Sequence, residues 1–187
     1  MTESDESLIG RYARGDAGAF ELLYRRHEMR TWRYLERNVR NRATADELMQ
    51  EVWFAVAKDA TRYEPTARFT TWLFTIAHNR IIDSIRASRP QLSLETLGYE
   101  AEAVVRELTA DPSVGPLAAA VARDQATALI RAVEQLPNEQ REAFLLKVEG
   151  DLSIEEIAVI TNSSFETTKS RLRYARAKLR ELLNEYA

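Results

Sequence analysis

The sequence predicts an all-α protein made of two small helical domains joined by a flexible linker. Three observations lead there. Apolar residues recur at three-to-four spacing over most of the chain, and no segment shows sustained two-residue alternation. Capping patterns mark several helix starts. Between about Leu92 and Gly115 the periodicity disappears.

The elements follow in order. Ser7-Leu-Ile-Gly-Arg-Tyr-Ala-Arg-Gly15 reads as a short first helix, with Gly15 suited to the left-handed position after its end. Asp16 caps a longer helix in which Phe20, Leu23, Tyr24, His27, Thr31, Leu35 and Val39 repeat on one side. The opposite side, expected to be exposed, is basic: Arg25, Arg26, Arg30, Arg33, Arg37 and Arg40, diluted only by Glu28 and Glu36. Thr44-Ala-Asp-Glu47 is a capping-box pattern for a third helix, with Leu48, Val52, Ala55 and Val56 facing inward. Tyr63-Glu-Pro65 breaks the pattern. A fourth helix is expected from about Thr70 to Ser88, with Trp72, Leu73, Ile76, Ala77 and Ile81 on one stripe and Pro90 as its stop.

The next segment carries Gly98, the Asp111-Pro112 pair and Gly115, and its acidic side chains outnumber the basic ones, which suits a solvated linker. Helical pattern resumes after Pro116 through Val121, Leu129, Ile130 and Val133. It pauses at Leu136-Pro137, and Pro137 is well placed for the first turn of a helix from Asn138 to Glu149 that Gly150 terminates. Ser153-Ile-Glu-Glu156 is a capping box opening a short helix to about Ile160. Thr161-Asn-Ser163 is a turn in which Asn162 accepts the left-handed conformation. Ser163-Ser-Phe-Glu166 is a second capping box, for a helix that runs to the end. A short helix, a tight turn and a longer basic helix make a helix-turn-helix.

In that last helix Thr168, Leu172, Ala175, Leu179 and Leu182 share the face that must be buried. Lys169, Ser170, Arg173 and Tyr174 project elsewhere near its N-terminal end, the end that meets base edges in a recognition helix. Lys and Arg donate to guanine O6 and N7, and Ser bonds to either base type. Arg171, Arg176, Lys178 and Arg180 suit phosphates, which add affinity without sequence information. The plainer alternative is an amphipathic helix with a solvated charged face.

Composition excludes more than it assigns. The 187 residues suffice for one medium or two small domains, and the 45% apolar share is that of a globular protein. There is no cysteine, hence no disulfide, thiolate nucleophile or thiolate metal site; His27 and His78 stand far apart in sequence, without metal-ligand spacing. No Gly-rich phosphate loop occurs, so no ATP-driven step is implied, and without a convergent constellation of reactive side chains neither enzyme chemistry, a cofactor nor a metal is expected. The acidic start, Met1-Thr-Glu-Ser-Asp-Glu6, lacks the make-up of a secretory signal. No apolar run approaches the roughly 20 residues of a spanning helix, so a cytoplasmic location without membrane insertion is expected. A net charge of −3 argues little against nucleic acid when the basic residues are segregated.

Four segments, in this order, resemble the extracytoplasmic function group of the sigma-70 family of bacterial RNA polymerase. Asp46-Glu-Leu-Met-Gln-Glu-Val52 is similar to the family's region 2.2, and Phe69-Thr-Thr-Trp-Leu-Phe-Thr-Ile-Ala-His-Asn79 to region 2.3 running into 2.4. Leu136-Pro-Asn-Glu-Gln-Arg-Glu-Ala-Phe-Leu145 is similar to region 4.1. Thr167-Thr-Lys-Ser-Arg-Leu-Arg-Tyr-Ala-Arg176, after Leu152-Ser-Ile-Glu-Glu-Ile-Ala158, resembles region 4.2. Glu166 stands where the family has glycine and Thr168 where it has valine, and the usual turn glycine is replaced around Asn162.

The resemblance implies a sigma region 2 bundle over residues 1–91, a linker over 92–116 and a sigma region 4 helix-turn-helix over 117–187. It implies a non-enzymatic factor that binds core RNA polymerase, directs it to promoter DNA and assists melting, under control of an anti-sigma factor. Asp46, Met49, Gln50 and Glu51 would meet core polymerase. Arg68, Phe69, Asn79, Arg80 and Arg86 would meet the minus-ten element, where unstacked bases are held by stacking and edge hydrogen bonds. Of the aromatics there, Trp72 reads as core, while Phe69 is balanced between core and base pocket. Lys169, Ser170, Arg171, Arg173, Tyr174 and Arg176 would meet the minus-35 element. Two other readings remain: a conventional helix-turn-helix regulator with a sensing N-terminal domain, and a helical adaptor that binds only protein.

Overall fold

A computed structural model describes residues 3–87 and 116–184, with the backbone alone for 116–123. The expected linker up to residue 115 and the expected helix stop Pro90 lie outside the described residues. Those described form helices joined by turns, with no strand among them.

Helix α1 (Asp5–Ala13) begins two residues before the expected start, because the Ser4 hydroxyl accepts the Ser7 N–H at 3.2 Å. Gly15, at φ +100°, makes the left-handed turn into α2 (Ala17–Val39), which Asp16 caps. Asp16 also takes Arg11 on its carboxylate, so one side chain fixes both the start of α2 and its angle to α1. Helix α2 is the mast of the N-terminal half, packing on α1, α3 and α4 through Leu23, His27, Thr31, Tyr34 and Leu35. Asp5 meets His27 Nε2 at 2.7 Å and Arg26 at 2.5 Å. Burial works against ionisation of Asp5, but these partners outweigh it and hold the carboxyl below its ordinary value.

Helix α3 (Arg42–Asp59) starts earlier than its capping-box pattern suggested. Arg40 turns the chain at φ 54° and the Asn41 side chain accepts the Thr44 N–H, leaving Thr44 inside the first turn. A 3-10 turn (Ala60–Arg62) follows, then α4 (Phe69–Ala87). Besides the expected Leu73, Ala77 and Ile81, α4 buries Phe69 and Phe74 completely. Phe74 meets Tyr34 of α2 edge-on at 5.2 Å.

In the C-terminal half, α5 (Pro116–Glu134), α6 (Asn138–Glu149) and α7 (Ile154–Ile160) pack around α8 (Phe165–Asn184). Leu129, expected on the inner stripe of α5, is 42% exposed, and Ala126, Ala132 and Val133 carry its burial. Gly150 ends α6 and Asp151 takes the left-handed turn at φ 50°. A Cβ on Gly150 would lie 2.8 Å from the Leu146 carbonyl oxygen and 2.9 Å from Leu152 Cγ, a close approach that only glycine allows. Gly150→Ala is therefore expected to destabilise the protein by about 1–3 kcal/mol, the usual cost of overpacking; urea unfolding followed by circular dichroism measures it.

The two halves do not stand apart. Helix α6 packs on α2 and α7 on α4, and their buried apolar residues form one cluster. Arg33 and Arg37, expected on a free basic face of α2, are largely covered and both bind Glu149 of α6. Only this end of the basic face meets the C-terminal half; Arg25 pairs with Glu21 and Arg26 with Asp5 inside the N-terminal half.

Candidate nucleic-acid interface

The helix-turn-helix forms from its local signals. The Ser153 hydroxyl accepts the Glu156 N–H, and the Glu156 carboxylate accepts the Ser153 N–H at 2.7 Å, a complete capping box. Asn162 adopts φ 46° in the turn. The second cap falls one residue later than expected: the Ser164 hydroxyl accepts the Thr167 N–H, while Ser163 Oγ lies 2.8 Å from Thr168 Oγ1. Glu166 thus has no capping contact and instead stands 3.9 Å from Lys169. Thr168, Leu172, Ala175, Leu179 and Leu182 are buried, as their spacing predicts.

This burial turns the other side of α8 outward. Lys169, Arg173, Tyr174 and Arg176 are exposed and Ser170 half-buried. The Lys169 ammonium lies 5.8 Å from the Phe165 ring centroid, and the Arg173 guanidinium lies over the Tyr174 ring at 4.9 Å. Such exposed pairings are weak, so nucleic acid can displace them cheaply. Arg171 differs: it binds Glu139 of α6 at 2.8 Å and is only 21% exposed. An open concavity between the start of α6 and α8, lined by Asn138, Gln140, Thr167, Ser170 and Tyr174, continues this surface.

On α4 the expected residues separate. Phe69 is 0% exposed, ringed by His27, Tyr63 and Trp72 at centroid distances of 5.4, 6.3 and 6.0 Å. A base cannot stack on a ring without an open face, so Phe69 is core and the expectation of a base contact there is corrected. Trp72 is partly buried beside Tyr63. Asn79 is exposed, Arg80 lies 3.7 Å from Glu51, and Arg86 pairs loosely with Asp83. Arg68 is about half exposed, yet it donates to the Asp151 carbonyl at 3.0 Å and lies 3.7 Å from Glu156, both in the C-terminal half. Glu156 also accepts a hydrogen bond from Thr71 Oγ1. Burial opposes ionisation of Glu156, but the Thr71 and Ser153 hydrogen bonds with the Arg68 charge prevail and hold it below its ordinary value.

On α3, Asp46, Gln50 and Glu51 share an exposed surface, and Asp46 accepts the Trp32 indole N–H at 2.8 Å. Met49, expected with them as a contact of core polymerase, instead faces inward at 8% exposure and belongs to the core, so that expectation is corrected. Sequence reasoning passed over Phe54, which stands 71% exposed one turn beyond Gln50 and Glu51. Its signal was present: a large aromatic at a polar phase of the helix period.

Two family profiles match the chain, one in each half. The family profile of sigma-70 region 2 matches residues 23–90, and that of sigma-70 region 4 matches residues 126–179. The chain is 38% identical to RNA polymerase sigma factor CarQ of Myxococcus xanthus over 180 residues, covering 94% of this chain and 95% of that one. It is 28% identical to the ECF RNA polymerase sigma factor SigW of Bacillus subtilis, covering 95% of each. Among solved structures, CnrH in complex with the cytosolic domain of CnrY aligns with TM-score 0.66 at 22% identity, over 99% of this chain and 100% of that one. The sigma factor RpoE of Bartonella quintana, solved with the anti-sigma factor NepR, aligns with TM-score 0.67 at 21% identity, over 88% and 96%. At these identities the structures speak for the fold alone. Among the described residues no helix is long and apolar enough to cross a membrane.

Proposed function

Because the chain belongs to the extracytoplasmic function group of the sigma-70 family, we propose that its two halves divide promoter recognition between them. The C-terminal half reads the minus-35 element in duplex form with Lys169, Ser170, Arg173 and Tyr174, while Arg176 serves the phosphates. The N-terminal half docks on core RNA polymerase through α3 and takes the minus-ten strand along α4, with Asn79 reading a base edge and Arg68, Arg80 and Arg86 following the backbone. The observation that carries this reading is the exposed basic side of α8, set on a capped helix-turn-helix whose opposite face is wholly buried. RNA synthesis itself is the work of the polymerase, so the role of this chain is regulatory and is exercised in the cytoplasm. An anti-sigma factor of the kind bound to RpoE in its solved complex would hold the chain inactive.

Purified chain mixed with core RNA polymerase and fragmented host DNA is expected to start transcripts at discrete sites that share two upstream elements. Duplex binding by the chain without any stimulated start would make it a conventional regulator instead. On α3, Phe54 belongs with Asp46, Gln50 and Glu51 in the polymerase patch. Exposed aromatics at interface centres cost about 2 kcal/mol or more when truncated, so Phe54→Ala is expected to weaken core binding by at least roughly thirtyfold. Because the ring is 71% exposed, thermal stability should stay unchanged. Fluorescence anisotropy with core polymerase measures the first, and unaltered affinity would remove Phe54 from the patch.

A further inference from the structure

From Phe165 to Arg180, α8 carries six cationic residues and one acidic one, Glu166. Glu166 is 78% exposed in the first turn of the helix and makes no capping contact there, because the Ser164 hydroxyl takes the Thr167 N–H. Lys169 stands 3.9 Å from it, a loose and exposed pair that contributes little. Folding of the helix-turn-helix thus makes little use of this carboxylate.

Its place on the helix is that of a reader. Residues four apart are neighbours on one side of a helix, so Glu166, Ser170 and Tyr174 form one row along α8. All three line the open concavity between α8 and the start of α6. The adjoining row holds Lys169 and Arg173. Glu166 therefore heads the same surface that carries the residues proposed above to meet the minus-35 element.

An acid in that place weakens attraction to every duplex, because phosphates flank the groove. The loss is offset where the carboxylate meets a donor, and in the major groove the donors are cytosine N4 and adenine N6. An ionised carboxylate accepts and cannot donate. Adenine sets the acceptor N7 beside N6, which disfavours a second carboxylate oxygen, whereas cytosine presents its amino group alone. We propose that Glu166 is a specificity-determining residue, which selects a cytosine in the minus-35 element by accepting a hydrogen bond from its N4 amino group. Lys169, one turn further along, donates to a guanine at a separate position. The inference deepens the promoter-reading role proposed for α8 and rests on it.

The plainer role for an acid in a first helical turn is to favour the helix dipole, which adds stability and no sequence choice. Substitution separates the two. Glutamine both donates and accepts, the pairing that suits adenine N6 and N7, while alanine does neither.

The test uses holoenzyme reconstituted from the full chain and core RNA polymerase, on a mapped promoter whose upstream element is randomised. Sequencing the transcribed templates gives the preferred base at each position. The parent is expected to favour cytosine at one position by about fivefold or more. Glu166→Gln should move that position to adenine, and Glu166→Ala should leave it without preference, with the other positions unchanged. Lys169→Ala should relax a different position. Thermal unfolding followed by circular dichroism shows whether each variant remains folded. A parent with no preferred cytosine, or variants that select the parent's element at every position, would overturn the proposal; a lowered melting temperature in those variants would then leave Glu166 the helix-dipole role. Stronger initiation by Glu166→Ala on all templates alike would also overturn it, since the acid would then only repel phosphates. A parent holoenzyme that initiates without any shared upstream element would instead remove the promoter-reading role of α8 itself.

Discussion

Replacing Lys169 and Arg173 together by alanine is expected to abolish promoter-directed initiation while leaving core polymerase binding intact. Both side chains stand on the exposed side of α8 near its N-terminal end, and neither contributes to the buried face formed by Thr168, Leu172 and Ala175. Their present partners, Glu166, the Phe165 ring and the Tyr174 ring, are surface contacts whose loss costs little. A good base contact contributes about 1–3 kcal/mol, so losing two should lower specific duplex affinity by roughly a hundredfold or more. Gel-shift titration on a mapped promoter measures that, and transcription from the same template supplies the functional readout. Arg176→Ala should behave differently, weakening all duplexes alike and reducing the salt slope by about one. If the double variant lost affinity equally for every sequence, α8 would be a phosphate-binding helix rather than a reader.

Phe69→Ala is expected to unfold the N-terminal half well before any effect on DNA can be isolated. The ring is fully buried among His27, Tyr63 and Trp72, and its backbone N–H donates to Glu6 of α1 at 2.9 Å. Truncating a core phenylalanine costs about 3–5 kcal/mol, a large share of the stability of a small domain. A steep fall in the urea midpoint is the expected result. Asn79→Ala, exposed on the same helix, should change stability by less than about 0.5 kcal/mol. It should nonetheless impair open-complex formation, read by permanganate reactivity of unpaired thymines, more than duplex binding. Equal loss in both assays would remove Asn79 from strand capture. The two variants thus separate a residue that builds α4 from one that uses it.

Much of this molecule is set by short-range signals and was legible in the sequence. The buried stripe of α8, the Ser153–Glu156 capping box, the left-handed Asn162 and the Asp16 cap all depend on residues within about one helical turn of each other. The errors were local too. The α3 start fell to Asn41 and the α8 cap to Ser164, because several polar residues in a row can each cap and only backbone geometry selects one. Periodicity placed Phe69 at a helix edge, where core and pocket look alike. Trp72 lies one turn on in the same helix, but His27 of α2 and Tyr63 before α4 also enclose the ring, and no local pattern links them to it.

What only the tertiary structure decided is how the halves meet. Arg33 and Arg37 read as a solvated basic face because a helix pattern reports the phase of a side chain and not its partner. Their partner Glu149 lies 116 and 112 residues away, and Glu142 reaches His78 across 64. Local propensity shapes each helix, but the pairing of buried charges between distant segments is a property of the packed chain, and that pairing sets the side of α4 that carries Arg68 and Thr71 against the helix-turn-helix.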